Sequence, residues 1–172
     1  MTNKELFEAY RKDVYRMCYY MMNNAADAED ICQEVFVTVF RSNWQDIEKI
    51  RPWIIRITVN QCLNVLRRRR TLLDKIAVYP HMIAGSQEKL PDEIVLERET
   101  AREWADYLSR LPLKIRAVIA LRYIHGFQLA EIAEMLSIPL GTAKSRQHKG
   151  IKLMRKMLEQ QDSPYQYERS SL

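Results

Sequence analysis

The stretch FQLAEIAEMLSIPLGTAKSRQHKGIKLMRK, from Phe127 to Lys156, decides the interpretation of this chain. Its first part places apolar residues on one side of a short helix. Ser137-Ile138-Pro139 then ends that helix, because proline cannot continue a helical hydrogen-bond ladder. A second helix is predicted to start near residues 140–142. At about 100° per residue, its mostly apolar side collects Ala143, Gln147, Gly150, Ile151, Met154 and Leu158. The pattern predicts a helix-turn-helix.

The other side of the second helix is polar and cationic. It carries Ser145, His148, Lys149, Lys152 and Lys156, with Lys144 and Arg146 on its flanks. Such a helix packs one side on its own domain and offers donors and positive charge to the major groove of DNA. A solvated, lysine-rich helix at the end of a bundle is the alternative. The small residues at the turn and the second apolar stripe favour DNA binding.

Length and composition indicate a small soluble protein. The chain has 172 residues, of which 47% are hydrophobic, and it could form one domain or two of modest size. No apolar run approaches the length of a membrane span, and no secretory signal opens the chain. We therefore expect a cytoplasmic protein without direct membrane insertion.

The three cysteines, Cys18, Cys32 and Cys62, have spacings that suit neither a zinc site nor a disulfide framework. They are interpreted as reduced thiols of a core. A redox-sensing thiol is the alternative.

Charge is distributed in blocks. The net charge is −3 over residues 1–50, +6 over 51–75, −3 over 76–110 and +5 over 111–172. Two basic blocks separated by an acidic one suggest two separate contacts with a polyanion. A single cationic surface is the alternative interpretation.

The predicted fold is all-α, because glycine is rare and β-branched alternation is weak. Helices are expected at about 3–22, 27–41, 52–70, 92–111 and 113–124, before the helix-turn-helix. The predicted organisation is two small helical domains, 1–73 and 92–160, joined by a flexible linker over 74–91 and followed by a disordered tail, 161–172. A polar loop is expected between the second and third helices, over Ser42–Lys49.

Three stretches together resemble the extracytoplasmic-function sigma factors, the minimal two-domain initiation subunits of bacterial RNA polymerase. DAEDICQEVFVTVFR (Asp27–Arg41) and RPWIIRITVNQCLNVLRRRR (Arg51–Arg70) resemble the family's core-binding and promoter-melting domain. LPLKIRAVIALRYIHGFQLAEIAEMLSIPLGTAKSRQHKG (Leu111–Gly150) resembles the domain that reads the −35 element. The order of these stretches, across a linker of this size, is more specific than either half alone.

The resemblance implies three sets of contact residues. The second helix would dock the clamp coiled coil of the polymerase large subunit through Asp30, Gln33 and Glu34, which are otherwise a solvated acidic face. The second helix of the helix-turn-helix would contact the −35 element through Lys144, Ser145, Arg146, His148, Lys149 and Lys152. The third helix would contact the −10 element through Asn60, Asn64, Arg67, Arg68, Arg69 and Arg70.

The chemistry of the third helix is compatible with this role. The Asn60 amide both donates and accepts hydrogen bonds, as the edge of an extruded base requires. The arginine run can neutralise phosphates without reading sequence. The alternatives are a surface amide and a solubilising helix end. Trp53 is interpreted as a core residue rather than a stacking platform.

The sequence shows no catalytic or metal-binding pattern. We therefore expect that the chain is not an enzyme and that it needs no cofactor, metal or small-molecule substrate. The expected partners are the RNA polymerase core, promoter DNA and an inhibitory anti-sigma factor. A helix-turn-helix regulator with an N-terminal sensing domain is the main rival. It leaves Asn60, the arginine run and the acidic second helix unexplained. A protein-interaction bundle leaves both basic blocks unexplained.

Overall fold

The structure, a computed structural model, describes residues 1–76 and 98–161. Within these two ranges the chain is helical and contains no strand, which confirms the predicted fold class. Helices α1, α2 and α3 are Asn3–Met22, Ala25–Phe40 and Ile50–Ile76, and a short 3-10 turn, Trp44–Asp46, precedes α3. Helices α4, α5, α6 and α7 are Arg98–Ser109, Leu113–Ile119, Leu129–Leu136 and Leu140–Gln161. A π-helical turn, Ala120–Ile124, follows α5 directly.

A side-chain capping box begins α1, and a left-handed backbone conformation ends it. The Thr2 hydroxyl accepts a hydrogen bond from the Glu5 N–H at 3.2 Å, and the Glu5 carboxylate accepts one from the Thr2 N–H at 2.6 Å. At the other end Asn23 has a left-handed φ of 52°, which asparagine tolerates better than most residues. Asn24 then caps α2, because its side-chain oxygen accepts from the Asp27 N–H at 2.9 Å. The predicted break between the first two helices is therefore confirmed, and it lies at Asn23-Asn24.

Helices α1, α2 and α3 enclose an apolar core in which Leu6, Val14, Met17 and Cys18 of α1 are fully buried and Tyr10 is half-buried. On α3, Trp53, interpreted from the sequence as a core residue, packs against the core but is only partly buried. Leu63 is buried, whereas Trp53, Ile57 and Leu66 are half-buried. The buried side of α3 carries Ile54, Ile55, Thr58, Val59 and Cys62 instead. The buried Thr58 hydroxyl is satisfied because it donates to the Ile54 carbonyl at 2.8 Å.

Helix α3 continues beyond the predicted end at Arg70, through Ile76. No glycine or proline interrupts residues 71–76, so the hydrogen-bond ladder can continue. Most of the predicted linker lies outside the described residues, as do positions 92–97 of the next predicted helix. The predicted tail also lies outside them from residue 162 onward.

The segment predicted as a flexible polar loop, Ser42–Lys49, contains a buried anchor. Trp44 is 4% exposed. Its indole N–H donates to the side-chain oxygen of Asn3 at 3.0 Å, and the 3-10 turn lies around it. Trp44 therefore ties this segment to the start of α1.

The helix-turn-helix is confirmed at the predicted place. Helix α6 ends at Ser137, whose φ of 53° is left-handed, and α7 begins directly after Pro139. Gly150 on α7 is buried against α5, and a β-carbon there would lie 2.6 Å from side-chain carbons of Ile119. The absence of a side chain at Gly150 therefore allows α5 and α7 to pack closely.

The N-terminal bundle and the helix-turn-helix part pack together in this structure. Residues of both, such as Val14 and Leu121, belong to one continuous core. The buried Arg116 guanidinium donates to the Met21 carbonyl at 2.8 Å and to the Ser109 carbonyl at 2.7 Å. Because these carbonyls lie at the ends of α1 and α4, the charge of Arg116 meets the negative ends of two helix dipoles.

Arg51 at the start of α3 makes a second contact between the two parts. Its Nε donates to the Asp13 carboxylate at 2.7 Å, and its Nη2 donates to the His125 carbonyl at 3.1 Å. The guanidinium also lies 4.8 Å from the centre of the Phe127 ring. Arg51 therefore contacts α1 and the segment that leads into α6 at the same time.

Candidate nucleic-acid and protein interfaces

The predicted −35 residues share the solvent side of α7. Lys144, Ser145, His148, Lys149 and Lys152 are exposed, and Arg146 is half-buried. Ala143 and Gly150 face inward and hold the helix on its own domain. The second helix of the motif therefore has the two-sided character that contact with a major groove requires.

The predicted −10 residues lie along the exposed side of α3. Asn60, Asn64 and Arg68 are four residues apart and exposed, so they share one stripe of the helix. Trp44 of the neighbouring segment is buried. The stripe offers two amides followed by positive charge.

Arg69 differs from the other arginines of the run. It makes a two-pronged ion pair with Asp27 of α2, with nitrogen–oxygen distances of 2.6 and 2.8 Å. The hydrogen bond from Arg69 lowers the pKa of Asp27. In this conformation Arg69 holds α3 to α2 and is not free for a phosphate, whereas Arg67, Arg68 and Arg70 are exposed without an ion-pair partner in the described ranges.

Part of each basic block lines one cleft in this conformation. The cleft measures about 890 Å³ and lies between the C-terminal half of α3 and the first turns of α5 and α7. Arg67 and Arg70 line one wall, and Lys114, Arg146 and Lys149 line the other. Arg68 of α3 and Lys144 and Lys152 of α7 are exposed outside this cleft.

The predicted clamp-binding residues line a shallow groove that is acidic, in contrast to the basic cleft. Asp30, Gln33 and Glu34 are exposed on α2 and share a groove of about 540 Å³ with Val37, Thr38 and Gln61. The Gln61 amide donates to the Thr38 hydroxyl at 2.9 Å and so links α3 to α2. The sequence reasoning missed these last three residues, although Val37 and Thr38 follow Gln33 and Glu34 at the i, i+4 spacing of one helix face.

The structure also shows an apolar groove that the sequence analysis did not identify. It measures about 570 Å³, and its walls come from α4, the π-helical turn and α7. Trp104, Tyr123 and Leu158 line it and are 39%, 55% and 38% exposed. A groove of this kind suits an apolar protein segment rather than DNA.

No metal or thiol chemistry emerges from the described residues. Within them, no three histidine, cysteine or carboxylate side chains come together in a way that could hold a metal ion. Cys18, Cys32 and Cys62 are buried within the bundle. A hydrogen bond with Cys62 and burial raise the pKa of Cys18 well above its usual range, and burial raises the pKa of Cys32 to about 12. Thiols in this state are poor nucleophiles, because the thiolate is the reactive form.

No helix among residues 1–76 and 98–161 combines the length and the apolar character needed to cross a membrane.

Comparisons with known families match both halves of the chain. The family model for Sigma-70 region 2 matches residues 6–71, and the model for Sigma-70, region 4 matches residues 107–156. These ranges contain the three predicted contact surfaces on α2, α3 and α7.

Curated relatives extend the match to nearly the whole chain. The ECF RNA polymerase sigma factor SigW of Bacillus subtilis (strain 168) is 32% identical over 165 residues, which cover 90% of this chain and 87% of SigW. The ECF RNA polymerase sigma factor SigX of the same organism is 29% identical over 163 residues, covering 92% of this chain and 84% of SigX.

Solved structures agree on the fold. The sigma factor RpoE of Bartonella quintana, crystallised with the anti-sigma factor NepR, superposes with a TM-score of 0.69 at 19% identity, covering 91% of this chain and 96% of RpoE. CnrH, solved with the cytosolic domain of CnrY, superposes with a TM-score of 0.67 at 18% identity, covering 94% of this chain and 89% of CnrH. With both sigma regions matched in order and a 32% identical relative spanning nearly the whole chain, this protein belongs to the ECF RNA polymerase sigma factors.

Proposed function

We propose that this sigma factor acts in the cytoplasm, directing core RNA polymerase to promoters through α7 and starting strand opening through α3. The observation that carries the proposal is the separation of three surfaces of different chemistry. A cationic side of α7, an amide and arginine stripe of α3 and an acidic groove on α2 are all exposed. Each surface has the residue types that its proposed contact requires.

At the −35 element, the proposed base readers are Ser145, His148 and Lys149. Lysine donates to the guanine edge in the major groove, and serine can donate or accept. Lys144, Arg146 and Lys152 are proposed to contact phosphates, which fixes the position of the helix without reading sequence. The buried contact of Gly150 with α5 holds α7 at a fixed depth on its domain.

At the −10 element, Asn60 and Asn64 are proposed to bind extruded bases. Unstacking and unpairing a base costs a few kcal/mol, so the protein must supply contacts that duplex DNA does not offer. The two amides lie one turn apart on the exposed side of α3. Arg67, Arg68 and Arg70 are proposed to hold the adjoining duplex by its phosphates, while Arg69 stabilises the bundle.

The polymerase contact is proposed for the groove on α2. Asp30, Gln33 and Glu34 would dock the clamp coiled coil of the large subunit, and the exposed Val37 adds an apolar contact beside them. Nucleotide transfer would remain with the polymerase.

An anti-sigma factor is proposed as the inhibitory partner. The solved structure of RpoE contains the anti-sigma factor NepR. The solved structure of CnrH contains the cytosolic domain of CnrY. In this chain an inhibitor could cover the acidic groove on α2 together with the apolar groove beside α7. A pull-down from resting cells that recovered only polymerase subunits would contradict this part of the proposal.

The proposal as a whole is tested by run-off transcription with purified chain, core polymerase and a promoter library. We expect transcripts that start at a defined distance from a shared pair of elements, and none with core polymerase alone. Glu34→Ala should reduce transcription by weakening assembly with the core, whereas Glu8→Ala, an exposed acidic residue of α1, is the matched control. Binding to duplex DNA without core polymerase, with no specific transcript, would instead support a helix-turn-helix regulator.

A further inference from the structure

The cleft between α3, α5 and α7 concentrates positive charge in a small space. Five cationic side chains line it, Arg67 and Arg70 on one wall and Lys114, Arg146 and Lys149 on the other, against one carboxylate, Asp74. None of these six has an ion-pair partner in the described part of the chain. The exposed first turn of α7, at Gly141, adds the positive end of a long helix to the same space.

The contacts that keep this cleft closed lie elsewhere. Arg116 and Arg51 join the two parts of the chain through carbonyls and through Asp13, and the shared apolar core lies behind them. Like charges are therefore held near each other by forces that do not neutralise them. A bound anion would relieve that repulsion and favour the closed arrangement.

The size and charge density of the cleft favour a chain of phosphates over other anions. A volume of about 890 Å³ suits a nucleotide-sized ligand. An acidic peptide supplies at most one carboxylate per residue, spaced by roughly 3.3–3.6 Å of backbone on alternating sides, so it brings fewer charges into the same space. A DNA duplex is read by an α-helix lying in its major groove, about 12 Å wide, whereas only one wall of this cleft belongs to α7.

We infer that the closed form of this protein binds a phosphoanhydride chain, such as that of a nucleoside triphosphate or inorganic polyphosphate, in the cleft between α3, α5 and α7. Arg67 and Arg70 engage the chain from one side, since the planar guanidinium suits phosphate oxygens, and Lys149 and Lys114 engage it from the other. Ser145 and Thr142 line the same wall and provide hydroxyl donors.

A ligand in this position would compete with promoter DNA, because Arg67, Arg70 and Lys149 are also proposed DNA contacts. The competition rests on the proposed function, whereas the binding does not. The binding is therefore measured on the free full-length chain, without polymerase or DNA.

The experiment is calorimetric titration with inorganic tripolyphosphate, ATP and orthophosphate at matched ionic strength. We expect one saturable site for tripolyphosphate and ATP, and much weaker binding of orthophosphate. Tighter binding of ATP than of tripolyphosphate would identify a nucleotide as the ligand, and the reverse order would identify the inorganic chain. Arg70→Ala and Lys149→Ala, one on each wall, should each weaken binding about tenfold, as expected for loss of one charge-assisted hydrogen bond.

The matched controls remove the same charges outside the cleft. Arg68→Ala and Lys152→Ala alter exposed residues of α3 and α7 that do not line it, and each should weaken binding by less than about threefold. All four side chains are exposed, so thermal unfolding should show that the variants fold alike. Equal weakening in all four variants, two independent weak sites, or orthophosphate binding as tight as tripolyphosphate would overturn the inference.

Discussion

Arg69 and Arg68 are neighbours in sequence with different surroundings. Arg69 is paired with Asp27, whereas Arg68 is exposed without an ion-pair partner in the described residues. The pair is only partly exposed, 48% for the Arg69 side chain and 25% for that of Asp27, so we expect Arg69→Ala to lower the free energy of unfolding by about 1 kcal/mol. Arg68→Ala should change it by less than about 0.5 kcal/mol. Urea denaturation of both variants at neutral pH makes the comparison, and equal stability of the two would contradict the structural role of Arg69.

The same pair predicts a pH dependence of definite sign. Because Arg69 lowers the pKa of Asp27, the folded chain holds the aspartate ionised more strongly than the unfolded chain does. The contribution of the Arg69–Asp27 ion pair to the free energy of unfolding is therefore fully present above the ordinary aspartate pKa of about 3.9. It disappears as the pH falls through the lowered pKa of Asp27. The stability difference between Arg69→Ala and the unchanged chain should shrink in that acidic range.

His125 makes the stability sensitive to a milder acid range. It is 5% exposed, and neither ring nitrogen has a hydrogen-bond partner in the described residues. Burial is the main cause that lowers the pKa of His125 to about 4. The nearby Asp13 raises this pKa, whereas Arg16 and Arg51 lower it further. Its neutral form is therefore the one that fits the contact between the two parts of the chain.

We expect the free energy of unfolding to fall by roughly 3 kcal/mol as pH drops from about 6.5 to about 4, on account of this one group. The folded chain binds fewer protons than the unfolded chain between these two pH values. The contribution of neutral His125 to stability is therefore complete above about pH 6.5 and is lost as the pH falls towards about 4. His125→Gln should flatten the dependence, and the same change at the exposed His148 is the control. An unchanged slope in His125→Gln would contradict the assignment.

At the scale of the helices, the sequence predicted best those helix ends that are set by the backbone preference of a single residue. Asn23-Asn24 ends α1, and Pro139 separates α6 from α7, because each residue limits the backbone in its own position. The buried side of α3 was less predictable. Trp53 is the bulkiest apolar residue there, yet it is only half-buried, whereas the smaller Val59 and Cys62 are fully buried. Side-chain size alone does not determine which face of a helix is buried.

Two glycines of α7 provide a test of the packing between α5 and α7. Gly150→Ala would place a β-carbon 2.6 Å from side-chain carbons of Ile119, so we expect a loss of about 1–3 kcal/mol of stability. Gly141→Ala meets nothing within 4 Å and should be neutral or stabilising, because alanine is the better helix former. Thermal unfolding compares them, and a Gly150→Ala variant as stable as Gly141→Ala would show that this contact is easily relieved.

Two lysines of α7 separate base reading from phosphate contact. In the assembled polymerase, Lys149→Ala should cost about 1–3 kcal/mol at the preferred −35 sequence and relax the preference at one position, if Lys149 reads a guanine. Lys152→Ala should weaken binding to all sequences alike and reduce the salt dependence. Binding measured on promoters with each −35 position altered distinguishes the two. The assignment is wrong if both variants lose the same affinity on specific and random sequences.

For the whole molecule, what the sequence could not supply is the arrangement of the two parts. The basic blocks were visible in the charge distribution, but their meeting in one cleft depends on long-range contacts such as Arg116 with the Met21 carbonyl. No local pattern announces a hydrogen bond between residues so distant in sequence. The three proposed contact surfaces were accessible to sequence reasoning because each lies on one helix and follows its periodicity.

The closed arrangement also bears on promoter binding. Elements centred near −35 and −10 are about 25 base pairs apart, or roughly 85 Å of duplex at 3.4 Å per base pair. One cleft of about 890 Å³ cannot place its two walls on both elements. With the contacts proposed for α3 and α7, the two parts of the chain are therefore expected to separate when the polymerase engages a promoter.

The most direct test of the central claim is strand opening, measured as permanganate reactivity of −10 thymines with the reconstituted polymerase. Asn60→Ala should form the closed complex normally but show markedly reduced reactivity, and a promoter melted in advance across the −10 element should recover much of the lost activity. Gln61→Ala, which alters the neighbouring amide in the α2 groove, is the comparison that separates base contact from polymerase docking. If Asn60→Ala opens promoters as well as the unchanged chain, the proposed role of α3 in strand opening is contradicted.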